Sequence, residues 1–223
     1  MKKIVRFNSI EEFQAYRKSK AKFFLGSGSE GSCFLGNDGL TYKDLTEGYH
    51  SDYYDIDSVI TSDEYSCSSF IFPHTLFVIG DELVGYTSDT VRVDLINNEK
   101  MIFDGIDAID FDKLANAYDV LMHDAIALGE HGITIYDLPY NLMFDGDKLM
   151  AIDTCGYYYS DNDPVGHNIN SVNEAIKLVF SLYVEYAYCQ KVDKNMEVKP
   201  FLEMIERKYT NHNSRGGVQY KKK

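Results

Sequence analysis

Residues 135–157, IYDLPYNLMFDGDKLMAIDTCGY, combine two short apolar runs with polar residues at their ends. The runs NLMF and LMAID are separated by Asp145-Gly146, which favours a tight turn, so the stretch predicts a small antiparallel hairpin. Asp137 and Asn141 precede the first strand, and Asp153 ends the second. The pattern therefore gathers three polar side chains at one end of a hairpin.

The polar end of this hairpin has the residue types of a magnesium and acid–base site. A carboxylate at the tip of an apolar strand, as at Asp153, needs a metal or polar partner to offset its desolvation. An Asp, an Asn and a second Asp can supply two oxygen ligands for Mg²⁺ and one base near a hydroxyl group. The simpler interpretations are a turn residue for Asp137 and a strand-entry cap for Asn141, and this stretch alone leaves them open.

A second stretch, LGSGSEGSCFLG at residues 25–36, places Gly26, Gly28 and Gly31 in the pattern G-x-G-x-x-G. The glycines lie between the runs KFFLG and SCFLG, so a strand rather than a helix follows them. A dinucleotide-binding loop requires that helix, and a Walker loop requires G-K-[ST], which is missing here. Two interpretations remain: a hairpin whose backbone N–H groups cover a polyphosphate, or an ordinary turn.

Lys43 favours the first interpretation of the glycine stretch. It lies in the next predicted strand, LTYKDL, twelve residues after Gly31. A lysine on a strand beside a glycine hairpin can reach inward and neutralise phosphate oxygens. The alternative is a solvated lysine on the strand surface.

The rest of the chain predicts a mixed α+β fold. Ser9 and Glu12 form a capping box for a short helix, and the first hundred residues otherwise contain short strand-like runs. From Phe111 to Leu128 the apolar residues recur at helical spacing, and two further helical patterns follow the hairpin. We expect a β-rich domain over residues 1–90 and a mainly helical domain over residues 91–223.

Taken together, these features resemble the protein-kinase-like fold, including its aminoglycoside and choline kinase branch, over about residues 20–190. The glycine loop, the lysine strand, a hinge-like LVGYTSDTV, the helix over 111–128 and the hairpin follow one another in the family's order. IYDLPYN and IDTCG stand where the family has H-R-D-L-x-x-x-N and D-F-G. The resemblance implies two lobes: a small antiparallel β N-lobe and a reduced, mainly helical C-lobe.

The resemblance also implies ATP and Mg²⁺ as cofactors and a role for each matching residue. The backbone of Gly26, Ser27, Gly28 and Gly31 would cover the phosphates, and Lys43 would pair with the α- and β-phosphates. The segment around Tyr86 would meet the adenine. Asp137 would accept the proton of the acceptor hydroxyl, while Asn141 and Asp153 would hold Mg²⁺. The implied function is transfer of the γ-phosphate to a hydroxyl of a protein or small molecule.

The chain departs from the family pattern at several positions. Asn141 follows Asp137 by four residues rather than five, and Tyr136 replaces an arginine. The helix that supplies a glutamate to the lysine is reduced to YDIDSVITSDEY, residues 54–65, in which Glu64 is the best candidate, with Glu47 or Asp55 as alternatives. A pseudokinase that binds nucleotide or partners without phosphoryl transfer is therefore the alternative function, and a purely structural or interaction protein is the third.

Composition limits the partners that the chain is expected to bind. The formal charge is −13 and the pI about 4.8, which argues against nucleic-acid binding, because that needs clustered Lys and Arg. No signal-peptide pattern or apolar run of membrane-spanning length is recognisable, so we expect no membrane partner. The four cysteines are far apart, as expected for reduced thiols. These features predict a cytoplasmic protein.

Overall fold

The computed structural model describes residues 2–47 and 55–210, and within them the chain is a mixed α+β structure. The first part contains one helix among six strands: β1 Ile4–Phe7, α1 Ile10–Lys20, β2 Ala21–Ser27, β3 Ser32–Gly36, β4 Thr41–Asp44, β5 Thr75–Ile79 and β6 Glu82–Ser88. The second part is mainly helical: α2 Asn98–Asp104, α3 Phe111–Glu130, β7 Ile133–Thr134, β8 Leu142–Phe144, β9 Leu149–Ala151, β10 Tyr158–Tyr159, α4 Pro164–Tyr188 and α5 Val198–Tyr209.

The six strands of the first part form one sheet in the order β1-β5-β6-β4-β3-β2. Every neighbouring pair is antiparallel except β1 and β5, which are parallel. Residues paired across neighbouring strands point their side chains to the same face of a sheet. One such row crosses the sheet through Gly26, Cys33, Lys43, Tyr86 and Leu76.

Helix α1 covers the face of the sheet opposite to Lys43. Ser9 caps the helix by accepting a hydrogen bond from the Glu12 N–H, as the capping-box pattern predicts. Arg17 donates from Nε and Nη2 to Asp44 at 3.2 Å, and its guanidinium lies 3.8 Å from the centre of the Phe34 ring. Both charges of this ion pair are buried, so α1 is fixed on β4.

The main hydrophobic core lies around α3 and α4. The buried stripe of α3 runs through Phe111, Leu114, Leu121, Ala125 and Leu128, which matches the periodicity in the sequence. The same core also contains Ile60, Phe70 and Phe72, which precede β5. Residues on both sides of the expected boundary at residue 90 therefore share one core, and the division into residues 1–90 and 91–223 stays a prediction.

Several sequence expectations are confirmed and others are wrong. The strands β2, β3, β4, β5 and β6, the hairpin β8–β9 and the helices α1, α3, α4 and α5 are present. The sequence did not predict β1 or α2, and residues 55–65 form turns instead of the reduced helix expected over 54–65, of which residue 54 lies outside the described residues. Among the described helices, none is both long and apolar enough to cross a membrane.

Candidate functional site

Lys43 is the centre of a buried polar cluster between the sheet and the β8–β9 hairpin. Its ammonium contacts the Glu30 carboxylate at 3.1 Å and forms an ion pair with the Asp153 carboxylate. The Tyr86 hydroxyl donates to the other oxygen of Asp153 at 2.7 Å. Register explains the arrangement, because Lys43 and Tyr86 are paired on β4 and β6 and point to the face that meets Asp153.

The charges of this cluster stabilise one another. Burial alone lowers the pKa of Lys43, but the attraction of Asp153 and Glu30 outweighs it, so the pKa lies above its ordinary value. Burial likewise raises the pKa of Asp153, but the Lys43 charge and the hydrogen bonds from Lys43 and Tyr86 bring it below its ordinary value. The buried pair is therefore a charged ammonium and a charged carboxylate, each of which would be costly to leave alone.

Glu30 comes from the glycine hairpin between β2 and β3. The hairpin closes through a hydrogen bond from the Gly28 N–H to the Gly31 carbonyl, 2.9 Å long. Burial and the repulsion of Asp153 raise the pKa of Glu30. A carboxylate from the glycine loop thus lies against the one lysine that the sequence predicts as a phosphate ligand.

Asp137 and Asn141 lie at the open end of the β8–β9 hairpin. A short 3-10 turn, Leu138–Tyr140, connects them, with Pro139 inside it. The Asn141 side-chain amide donates to the Asp137 carbonyl at 3.1 Å, and the Asn141 carbonyl accepts from the Ile152 N–H at 2.8 Å. The spacing of four residues is thus accommodated by one turn, and Asn141 is held beside the residue that precedes Asp153.

Asp137 and Asp153 share an uncommon backbone conformation. Both are left-handed, with φ of 51° and 59°, and both directly precede a 3-10 turn. Non-glycine residues in this region are strained by about 1 kcal/mol or more and concentrate at functional sites. Asp137 is exposed, and burial of part of its carboxyl together with the Asp153 charge raises its pKa.

The residues fit a magnesium ion by their chemistry. Asn141 and Asp153 are oxygen donors at one end of the hairpin, and among the described residues none donates a hydrogen bond to the Asn141 Oδ1. Within the described ranges, no group of three or more His, Cys, Asp or Glu side chains is placed to hold a metal. A metal here would therefore need further oxygens from a bound ligand, as Mg²⁺ commonly does.

The structure thus brings several predicted site residues together. Lys43, Tyr86 and Asp153 are in contact, the Asp153 charge acts on Asp137, and the glycine hairpin lies over Lys43 through Glu30. The side chain of Tyr86 is buried against Asp153, so only the segment around it is left for the adenine that the resemblance implies.

The acids expected to pair with Lys43 lie elsewhere. Glu64 accepts hydrogen bonds from the N–H and hydroxyl of Thr61, and Asp55 accepts from Ser58. Glu47 is exposed. Residues 55–65 form turns rather than a helix beside β4, so they do not bring a carboxylate to Lys43. The partners of Lys43 are Glu30 and Asp153, and the expectation of Glu64, Glu47 or Asp55 as its partner is wrong.

Asn168 in α4 is a supporting residue that the sequence did not indicate. Its side chain is fully buried and accepts a hydrogen bond from the Ile135 N–H at 2.9 Å. It also donates to the carbonyls of Ala125 and Ile133. It therefore fixes the segment that leads to Asp137, and the one available signal was an amide on the apolar side of a helical pattern.

Comparison with known proteins gives no further assignment. No protein-family model matches the chain, and no curated protein matches it at a significant level.

Proposed function

We propose that the chain is an ATP- and Mg²⁺-dependent phosphotransferase with a two-lobed, protein-kinase-like fold, which moves the γ-phosphate to a hydroxyl of a small molecule or protein. The observation that carries the proposal is the Lys43–Asp153 ion pair, buried beneath a glycine hairpin and next to Asp137. A fixed cation between a glycine loop and paired carboxylates is suited to the charge of a transferred phosphoryl group. The scattered cysteines support a cytoplasmic location for the proposed enzyme, where ATP is available.

Each residue has a defined task in the proposed reaction. Lys43 pairs with the α- and β-phosphates once Glu30 has moved aside, while the backbone of residues 26–31 covers the phosphates. Asp137, which is exposed, accepts the proton of the acceptor hydroxyl. Asn141 and Asp153 would hold Mg²⁺, which neutralises phosphate charge when bound. Tyr86 keeps the Asp153 carboxylate oriented through its hydroxyl.

Glu30 favours one alternative, a pseudokinase that does not transfer phosphate. Its carboxylate contacts the Lys43 ammonium at 3.1 Å, which is the position that a phosphate would take. A nucleotide that binds without displacing this contact would not have its phosphates on Lys43, so no phosphate would be transferred. The shortened spacing between Asp137 and Asn141 points in the same direction.

The test is turnover of labelled ATP with Mg²⁺, measured as autophosphorylation and as transfer to aminoglycosides, for the wild type, Asp137→Asn and Asp153→Asn. Both substitutions keep the side-chain volume, and Asp161→Asn at an exposed residue is the matched control. We expect each site variant to lose about 10²-fold or more in rate, because removal of a positioned base or metal ligand has that effect. Binding of Mg·ATP is followed in parallel by thermal shift.

The outcomes separate the three functions. Phosphate transfer that persists in Asp153→Asn contradicts the proposal. A thermal shift with Mg·ATP but no product, with either acceptor, supports the pseudokinase. If neither a thermal shift nor a product is observed, a structural or interaction role remains.

A further inference from the structure

A second polar cluster lies outside the Lys43 site, in a cleft between residues 62–74 and the end of β6. The Ser62 Oγ is 2.7 Å from the Nδ1 of His74, and the Nε2 of His74 is 3.0 Å from an oxygen of Asp89. These three residues line a cleft of about 220 Å³. A serine, a histidine and an aspartate connected in this order have the arrangement of an activated nucleophile.

The hydrogen bonds define which nitrogen of His74 acts as the base. Asp89, as a carboxylate, only accepts hydrogen bonds, so the proton of the neutral imidazole lies on Nε2. Nδ1 is then an acceptor, and the Ser62 hydroxyl donates to it. The imidazole is therefore oriented to take the proton of Ser62.

Backbone hydrogen bonds anchor Ser62 and His74 in this geometry. The Ser62 N–H donates to the Pro73 carbonyl at 2.9 Å, and the His74 N–H donates to the Thr87 carbonyl at 2.7 Å. Asp89 follows β6 directly. Ser62 and His74 are thus anchored through their backbones, which supports the preorganised geometry that nucleophilic catalysis requires.

The cleft has walls that suit a small acyl compound. Phe70, Phe72 and Met150 supply apolar surface, and Lys148 is a cation on the same lining. A positive charge on the lining of a cleft can stabilise the oxyanion that forms there when a carbonyl is attacked. The thiol of Cys67 also lines the cleft, but burial raises its pKa to about 11, so it stays protonated at neutral pH.

We propose that Ser62, His74 and Asp89 form a second catalytic site, which hydrolyses small carboxylic esters through an acyl-serine intermediate. The Ser62 Oγ attacks the carbonyl carbon while its proton passes to His74 Nδ1. The bond to the leaving oxygen breaks, and His74 gives that oxygen the proton, which releases an alcohol. Water then attacks the acyl-serine with His74 as base, and the carboxylic acid and free Ser62 are restored.

The test is covalent labelling of the full chain with a fluorophosphonate probe at pH 7.5, followed by intact mass and peptide mapping. We expect one adduct, on Ser62, in the wild type and none in Ser62→Ala. His74→Gln should slow labelling about 10²-fold, because a positioned general base accelerates a reaction by at least that factor. Asp89→Asn should slow it only about threefold, since the Asp89 side chain is 69% exposed and its charge is screened.

Ser66→Ala is the matched control, because Ser66 lines the same cleft and should leave labelling unchanged. Far-UV circular dichroism and the melting temperature establish whether each variant is folded. If Ser62→Ala is not folded, the position of the adduct in the wild type and the labelling rate of His74→Gln test the proposal instead. A folded wild type without an adduct, an adduct on Ser66, Ser68 or Cys67, or an equal rate in His74→Gln would each overturn the proposal.

Discussion

Glu30 is the residue that most affects what Lys43 can bind. It belongs to the glycine hairpin, yet its carboxylate contacts the Lys43 ammonium and lies close to Asp153. Any phosphate that approaches Lys43 therefore has to displace a group of its own charge sign. Under the proposed function, Glu30 competes with the nucleotide.

Replacing Glu30 with Gln should tighten the binding of Mg·ATP by about tenfold, which corresponds to roughly 1.4 kcal/mol. The amide keeps the size of the side chain but removes the charge that competes for Lys43. The dissociation constant, measured by titration with a fluorescent ATP analogue, checks this. Glu47→Gln is the matched control, because Glu47 is an exposed glutamate just beyond β4 and should leave the constant unchanged. Equal affinities in wild type and Glu30→Gln would show that nucleotide does not reach Lys43.

Lys43 and Asp153 could be singled out from the sequence as candidate site residues, whereas the contact of Glu30 with Lys43 could not be predicted. Lys43 lies on strand β4, where alternation fixes the direction of the side chain. Asp153 comes just after the buried strand β9, where a carboxylate needs a polar partner to offset its desolvation. Glu30 lies in a loop, where no periodicity fixes the direction of the side chain. Its contact depends on how the hairpin folds over β4, which is a tertiary feature.

At the scale of an element, the β2–β3 hairpin also shows a difference between residues that depends on tertiary packing and not on the sequence pattern. A Cβ at Gly31 would lie 2.1 Å from the Asp44 carbonyl oxygen, while Gly26 and Gly28 have open space around the corresponding position. The three glycines are equivalent in the pattern G-x-G-x-x-G. In the fold, only Gly31 lies against the backbone of β4.

We therefore expect Gly31→Ala to lower the free energy of unfolding by about 2–3 kcal/mol, since a backbone clash cannot be relieved by a rotamer change. Gly26→Ala and Gly28→Ala should change it by less than about 0.5 kcal/mol. Urea unfolding followed by circular dichroism measures all three variants. Equal losses at the three positions would contradict the packing of Gly31 on Asp44.

Elements with local signals were predictable, and elements that depend on distant partners were not. Helix α1 has its capping box, and β6 is bounded by the Gly80-Asp81 turn. Strand β1 has four residues and is held by parallel pairing with β5, about 70 positions later. Residues 55–65 were predicted as a reduced helix because their apolar residues pack into the core, as those of a helix would. The segment instead forms two separate turns, in which the Val59 N–H donates to the Asp55 carbonyl and the Tyr65 N–H to the Thr61 carbonyl, and neither turn continues into a helix.

At the scale of the whole molecule, the sheet and the helical part are joined by more than the connection after β6. Ala151 of β9 exchanges backbone hydrogen bonds with Ser69 and Ile71, and the Thr154 hydroxyl donates to the Ile71 carbonyl. The core around α3 and α4 includes Phe70. Since the segment before β5 belongs to this core, the two parts should unfold together.

Phe70→Ala tests this coupling. The side chain is 3% exposed, so truncation should lower the free energy of unfolding by about 3–5 kcal/mol. Because the loss falls on a shared core, amide hydrogen exchange should accelerate by the same free energy in β4, β6, α3 and α4. Phe103→Ala is the matched control, since Phe103 is 85% exposed and its loss should leave exchange unchanged. Faster exchange in α3 and α4 with β4 and β6 unaffected would instead show that residues 1–90 and 91–223 are independent folding units.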